Sequence, residues 1–331
     1  MSAKKKLKTS AMIASIARED QTTTAAPFGH ALVEAAGKNP KIVGMTADLG
    51  KYTDLHIFAQ AYPDRYYQMG MAEQLLMMAG AGMAREGFIP FVTTYSVFAS
   101  RRAYDFICLA IAEEKLNVKI VSALPGLTTG YGPSHQATED IAIFRGMPNL
   151  TIIDPCDAVD IEQSVQAMVD FDGPVYLRLL RGKVPRILDR FEGYQFEIGK
   201  AKRLIDGEDA LIISSGLMTM RAIEAADKLR EKSTNVAVLH CATIKPLDID
   251  TILAEVRRYP ERPVFVAENH SIIGGLGESI ASLLMKEGVS VKFNQIGLPD
   301  AFLDAGALPT LHDRYGISTK EVIKTLKQHV A

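Results

Sequence analysis

The sequence predicts an α/β protein made of two parallel-sheet, three-layer domains. Short runs of Val, Ile and Leu alternate with helical stretches of about 10–15 residues along most of the chain, the pattern of parallel sheets covered on both faces. At 331 residues the chain exceeds one typical core, so two domains are expected. The series is interrupted once, over Arg181–Glu197, which is rich in charge, Gly and Pro and keeps no sustained period. The expected division is an N-terminal arm at 1–24, a first domain at 25–182, a linker at 183–205 and a second domain at 206–331.

Taken in order, the arm begins with Lys4, Lys5, Lys6 and Lys8 and carries a short amphipathic helix over Ala11–Ala17. A helix over Phe28–Gly37 leads into a strand over Lys41–Ala47, ended by Asp48. Strand, helix, strand and helix follow between Arg65 and Asp105. Helix Ala103–Ala112 and strand Val118–Ala123 come next, then the Gly/Thr-rich loop PGLTTGYGPSHQ. Helix Thr138–Arg145, strand Leu150–Ile153, helix Ala158–Val169 and strand Val175–Leu180 complete the first unit. The second reads as strand Ala210–Ser214, helix Thr219–Lys232, strand Val236–Leu239, helix Ile249–Tyr259, strand Val264–Glu268, helix Leu276–Glu287, strand Val289–Phe293 and helix Thr319–His329.

Composition narrows the function classes. Hydrophobic content of 47% and charged content of 23% are ordinary for a globular protein, and a net charge of −2 gives no electrostatic case for nucleic acid or a membrane surface. No apolar run approaches the roughly 18 residues of a membrane span, and the N-terminus lacks a secretory pattern. Cys108, Cys156 and Cys241 are too few and too dispersed for a disulfide framework or a zinc site. A cytoplasmic location is expected.

The segment Arg65–Asp105 carries the most chemical information. Glu73 is the only acid between Asp64 and Glu86, and its helix is otherwise apolar and small, which predicts a helix buried all round. A buried carboxylate without a partner costs several kcal/mol, so Glu73 either has a partner within the fold or serves a ligand. Ligands of open parallel sheets sit beyond the carboxyl ends of the strands. Asp48, Glu73, the Tyr95/Phe98 pair and His135 all fall at such ends. Each has a plainer reading too: a structural acid, core rings, or, for Asp48, a helix N-cap. His270, before GGLG, is expected either to reach the site of a partner chain or to pack between domains. GGLG is not a GxGxxG fingerprint, and GxxxxGK[ST], HExxH and GxSxG are absent.

MGMAEQ, TYSVFASRRAYD and GYGPSHQATED resemble the pyrimidine-binding domain of the transketolase family. SSGLMT, IKPLD and AENHSIIGGLGES resemble that family's C-terminal domain, and order and spacing agree along nearly the whole chain. Only the second half of a transketolase is similar to this sequence; the half with the GDG…N motif is not. The resemblance therefore implies the C-terminal subunit of a split transketolase. It would be active with a separate N-terminal subunit in an α2β2 assembly and would transfer a two-carbon ketol unit from a ketose to an aldose. The implied cofactors are thiamine diphosphate and Mg²⁺, whose diphosphate and metal ligands would come mainly from the partner.

The resemblance also assigns roles. Glu73 would hydrogen-bond N1′ of the cofactor's aminopyrimidine. Physically, an acid in apolar surroundings keeps its proton to higher pH and can share it with such a nitrogen, promoting the 4′-imino form that takes the proton from C2. Met71 would wedge the cofactor into its bent shape, Phe98 would stack on the pyrimidine with Tyr95 beside it, and Asp48 would lie beneath the thiazolium. His135 would sit near the transferred ketol hydroxyl. Departures fall at the substrate end. Tyr131 stands where transketolases usually carry an acid, and Tyr52, Ala26 and Ala123 fall at clamp positions held there by Ser, Arg and His. Arg181 keeps its place as an anion contact. A sugar other than an ordinary pentose phosphate is expected. The alternatives are a 2-oxo acid dehydrogenase β subunit, whose EDVG-type opening and QFxDF-like segment are not found here, a deoxyxylulose phosphate synthase-like enzyme, and a regulatory partner with a decayed site.

Overall fold

The computed structural model describes residues 20–329. The basic N-terminus and the helix expected over Ala11–Ala17 lie outside the described residues. The first seven strands are β1 (Thr23–Ala25), β2 (Ile42–Thr46), β3 (Tyr66–Gln68), β4 (Ile89–Tyr95), β5 (Lys119–Ala123), β6 (Thr151–Ile153) and β7 (Val175–Leu179). The next seven are β8 (Lys183–Pro185), β9 (Lys202–Ile205), β10 (Ala210–Ser214), β11 (Val236–His240), β12 (Thr243–Lys245), β13 (Val264–Ser271) and β14 (Phe293–Leu298).

Twelve of them form a seven-stranded sheet in the order β12-β6-β7-β5-β4-β2-β3 and a five-stranded sheet in the order β14-β13-β10-β11-β9, and β1 and β8 form a two-stranded antiparallel ribbon. Pairing is parallel except at β12 on one sheet and β9 on the other. The α/β class and two-sheet organisation thus match the sequence reading. β2, β4, β5 and β7 are buried along their whole length, which accounts for their nearly unbroken apolar runs. One apolar cluster runs from Val43, Met45 and Ile120 through to Leu211, Ile213 and Leu239, so a single core spans both sheets. Separate clusters cover the outer face of each sheet.

Several expected elements differ. The strand expected at Val289–Phe293 starts at Phe293 instead, because the parallel ladder begins where Phe293 faces Val264. Val289 and Val291 pack on the core without joining that ladder. Helix Ala103–Ala112 is interrupted: α-helix Ser96–Arg102 ends at Ala103 (φ −109°, ψ 8°), and one turn at Tyr104–Ile107 passes into a π-helical stretch at Cys108–Ala112. The residues expected as arm and linker contribute strands, since β1 pairs with β8 and β9 edges the second sheet. Helix Leu308–Arg314 was not expected. Most consequential is helix Glu73–Arg85, predicted buried all round. It buries Glu73, Leu76, Met77, Gly80 and Ala81 but leaves Leu75 and Met78 about half exposed.

Two buried polar networks join the domains. Arg178, at the end of β7, donates from Nε and Nη2 to Asp140 at 2.9 and 3.1 Å, and Nη1 lies 3.0 Å from Asp154. Its Nη2 also donates to the carbonyl of Asn269, on β13, at 3.0 Å. In the second, Asp160 Oδ2 lies 2.7 Å from His240 Nε2 and accepts from the Cys156 amide, while Oδ1 accepts from the Tyr194 hydroxyl. Burial opposes charge on both members, yet their attraction outweighs it, raising the pKa of His240 and lowering that of Asp160. Cys156, Asp160 and His240 lie close enough to suggest a metal site; these hydrogen bonds account for Asp160 and His240 without one.

Replacing Arg178 with Met would leave Asp140 and Asp154 buried without their cation. A loss of about 3–5 kcal/mol is expected, measured by urea unfolding. The same substitution combined with Asp140→Asn and Asp154→Asn should recover part of it.

Candidate active site

The carboxyl ends of β2, β3, β4 and β5 meet at a cleft of about 380 Å³ lined by Ala47, Leu49, Tyr52, Met71, Glu73, Tyr95, Phe98, Arg102, Tyr131 and His135. Each reaches it by a local device. Tyr95 ends β4 and is the N-cap of helix Ser96–Arg102, so Phe98 follows within the first turn and Arg102 closes the last. Glu73 opens its helix after a turn through Gly70 (φ 74°). That turn is stapled to the end of β2 by Gln68, whose Oε1 accepts from the amides of Asp48 (2.7 Å) and Gly70 (3.0 Å).

Tyr131 and His135 ride on the loop after β5, which the second domain holds in place. Gly306 N donates to Gly130 O at 3.0 Å, Gln136 Nε2 to Asp304 O at 3.1 Å, and Leu127 N to Asn269 Oδ1 at 2.9 Å. The approach is close enough to require glycine: a Cβ on Gly130 would sit 2.0 Å from Gly306 O.

Glu73 is buried, and Arg102 Nη1 donates to its Oε1 at 3.2 Å. The ring centroid of Phe98 lies 5.6 Å from that of Tyr95 and 5.5 Å from that of His135. Tyr131 stands 5.3 Å from His135 on the other side. His135 Nδ1 is 2.9 Å from the Ser134 hydroxyl. Burial first, and the Arg102 charge second, lower the His135 pKa, favouring a neutral imidazole that can accept or donate at neutral pH. Burial raises the Tyr95 pKa, so its hydroxyl keeps its proton. The cleft thus offers one carboxylate, one flat aromatic wall, one neutral imidazole and two exposed phenols.

Glu73, Met71, Tyr95, Phe98, Tyr131 and His135 are therefore brought together as the sequence suggested. Asp48 is not. Its backbone is left-handed (φ 58°), its side chain is exposed, and Gln68 Nε2 donates to its Oδ1 at 3.0 Å, so it neither enters the cleft nor caps a helix. Arg181 stands behind the lining, its guanidinium 5.8 Å from the centroid of Tyr52, and its buried Nε has no hydrogen-bond partner among the described residues. His270 is wholly buried between the domains, 3.2 Å from the Ala142 amide. Sequence reasoning missed Arg102 as a site residue. Its position four residues after Phe98 on one helix was the available signal, since such pairs share a face.

As for a metal, no group of three candidate ligands lies at the cleft among the described residues; the one such group is the buried Cys156–Asp160–His240 network. No described helix is long and apolar enough to cross a membrane.

Comparison with known proteins agrees along the chain. Residues 20–186 match the family model "Transketolase, pyrimidine binding domain" and residues 199–322 match "Transketolase, C-terminal domain". Transketolase family protein y4mN of Sinorhizobium fredii is 68% identical over 98% of this chain and 93% of its own length. The 6-deoxy-6-sulfo-D-fructose transketolase subunit SqwH of a Clostridium species is 35% identical over 88% of this chain and 90% of its own. A solved structure described as a split gene transketolase in an inactive β4 tetramer shares 37% identity at a TM-score of 0.83, covering 92% of this chain and 97% of that one. A two-domain fold with an acid and an aromatic wall at its strand ends, and family matches along both domains, lead to one conclusion: this chain belongs to the transketolase family, whose members depend on thiamine diphosphate.

Proposed function

We propose that the chain is the C-terminal subunit of a two-chain transketolase and supplies the ring-binding part of a thiamine diphosphate site. The observation that carries this reading is the meeting of Glu73, Phe98 and His135 in one cleft. The residues suit the cofactor's aminopyrimidine: a buried carboxylate stands ready to share a proton with a ring nitrogen, and Phe98 offers a flat face whose contact is worth about 0.5–1.5 kcal/mol beyond burial. They do not suit a diphosphate with Mg²⁺, whose ligands would come from the partner subunit. When bound, the cofactor supplies the electron sink for moving a two-carbon ketol unit. Glu73 would hold the proton at the ring nitrogen, Phe98 and Tyr95 would bind the ring's face, Met71 would support it, and His135 would serve the ketol hydroxyl.

The surface also supports a partner. Met71 is 82% exposed, and Leu75 and Met78 continue its apolar face along helix Glu73–Arg85. The segment packed beside that helix adds the exposed side chains of Tyr104 and Leu109. Such a face beside a site marks an interface, and an α2β2 assembly would cover it. The related β4 tetramer is described as inactive, in keeping with a chain that needs a second kind of subunit. Unpaired cysteines fit a reducing, cytoplasmic setting.

At the substrate end, Tyr52, Ala26 and Ala123 stand where most of a pentose-phosphate clamp would be, Tyr131 stands in place of an acid, and Arg181 keeps its place as an anion contact. The Arg181 guanidinium, 5.8 Å from the centroid of the cleft residue Tyr52, suits a sulfonate or phosphate oxygen, and the SqwH relative is described as acting on a sulfosugar. The preferred ketose is accordingly an anionic sugar other than xylulose 5-phosphate.

Three outcomes are expected with the reconstituted pair. Glu73→Gln slows H/D exchange at C2 of bound cofactor by about 10²-fold or more, the range of lost proton transfer, read by NMR after acid quench; unchanged exchange removes Glu73 from this role. Leu75→Asp, at an exposed position, leaves the thermal midpoint of the chain in place while weakening assembly at least about tenfold, read by light scattering after size exclusion. In steady-state assays, Arg181→Gln raises KM for the best anionic ketose about tenfold with little change in kcat; highest activity on xylulose 5-phosphate would contradict the substrate assignment.

A further inference from the structure

Arg101 and Arg102 are adjacent, yet they are engaged differently. Arg101 is committed to the site loop: it pairs with Glu139 and donates from Nη1 to Pro133 O at 2.9 Å. Arg102 points the other way. Its guanidinium carbon lies 4.0 Å from the centroid of the Phe98 ring, and Nη1 donates to Glu73 Oε1. These are the two contacts that the reading above gives to the cofactor's aminopyrimidine: a hydrogen bond to the Glu73 carboxylate and a stack on Phe98. A guanidinium is flat, delocalised and rich in N–H donors, so it meets both as a nitrogen heterocycle would. Two planar groups cannot lie against the same ring face at that separation.

We infer that Arg102 is a latch, its guanidinium holding the place of the aminopyrimidine against Glu73 and Phe98 until the ring displaces it. The inference rests on the proposed cofactor site. Burial explains why a latch is needed, because Glu73 is only 4% exposed and an ionised carboxylate there requires a partner. Exposure explains why it can open. The Arg102 side chain is 51% exposed, so release returns its charge to water and strands no buried cation. Arg102 thus acts on binding, through Glu73 and Phe98, and is a positioning residue.

The test is thiamine diphosphate binding to the reconstituted pair by calorimetry. Arg102→Ala binds about 3- to 10-fold tighter than wild type, the scale of an exposed ion pair with a cation–π contact. Guanidinium ion at tens of millimolar, against matched sodium chloride, returns that affinity toward the wild-type value and leaves wild type unaffected; a general loosening of the fold would not respond to it. Arg102→Lys, which keeps the charge but not the flat stack, falls between the two and decides the question if the Ala variant loses its fold. If wild type binds and the variants bind equally or more weakly, the latch is overturned alone. If the wild-type pair binds no thiamine diphosphate, the cofactor site is overturned and the latch with it.

Discussion

Arg178 sits where the two sheets, the site loop and the domain boundary converge. Its guanidinium is 1% exposed and spans Asp140, Asp154 and the Asn269 carbonyl. Asp140 opens the helix that follows the site loop, and Tyr176 Oη donates to the same carboxylate at 2.7 Å. The Asn269 side chain meanwhile accepts from Leu127 within that loop. One buried cation therefore fixes both ends of the segment carrying Tyr131 and His135. Burying a charge of this kind is seldom the most stabilising solution, since desolvation opposes the gain; what it secures here is the position of one loop between two domains.

That arrangement gives the second domain a part in the site without contributing a side chain to the cleft lining. Its loop at residues 299–307 and the end of β13 hold the backbone from Pro125 to Gln136. The first domain supplies the carboxylate and the aromatic wall from its strand ends. The electrostatics reflect this division: Arg178 and the Asp160–His240 pair are buried in the networks between domains, while Glu73 and its partly exposed cation face the cleft.

The α/β class, the alternation of elements and most helices were legible because they rest on local periodicity and on apolar runs that burial on both faces demands. Edge strands were not. β9 and β12 take their conformation from a neighbour's ladder rather than from their own pattern, and β14 starts where its partner does. At the site, Glu73, Phe98 and His135 were legible as chemistry-bearing residues at strand ends. The placement of Asp48 was not legible, because a left-handed backbone turns its side chain toward Gln68 rather than into the cleft, a conformation that a short window of sequence does not announce. Arg102 was missed because its role depends on reaching across to a carboxylate 29 residues earlier, and the helix of Glu73 was overestimated as buried because an apolar surface reads alike whether a core or another chain covers it.

The strand Thr243–Lys245 lies in the second unit of the chain but runs antiparallel along β6 of the first sheet. Cutting the chain near residue 200 would strip that border from β6 and bare a row of peptide groups, an invitation to indiscriminate pairing. The two modules are thus separable by similarity yet sewn together by backbone, so shuffling either one onto a foreign neighbour would require replacing the hem as well.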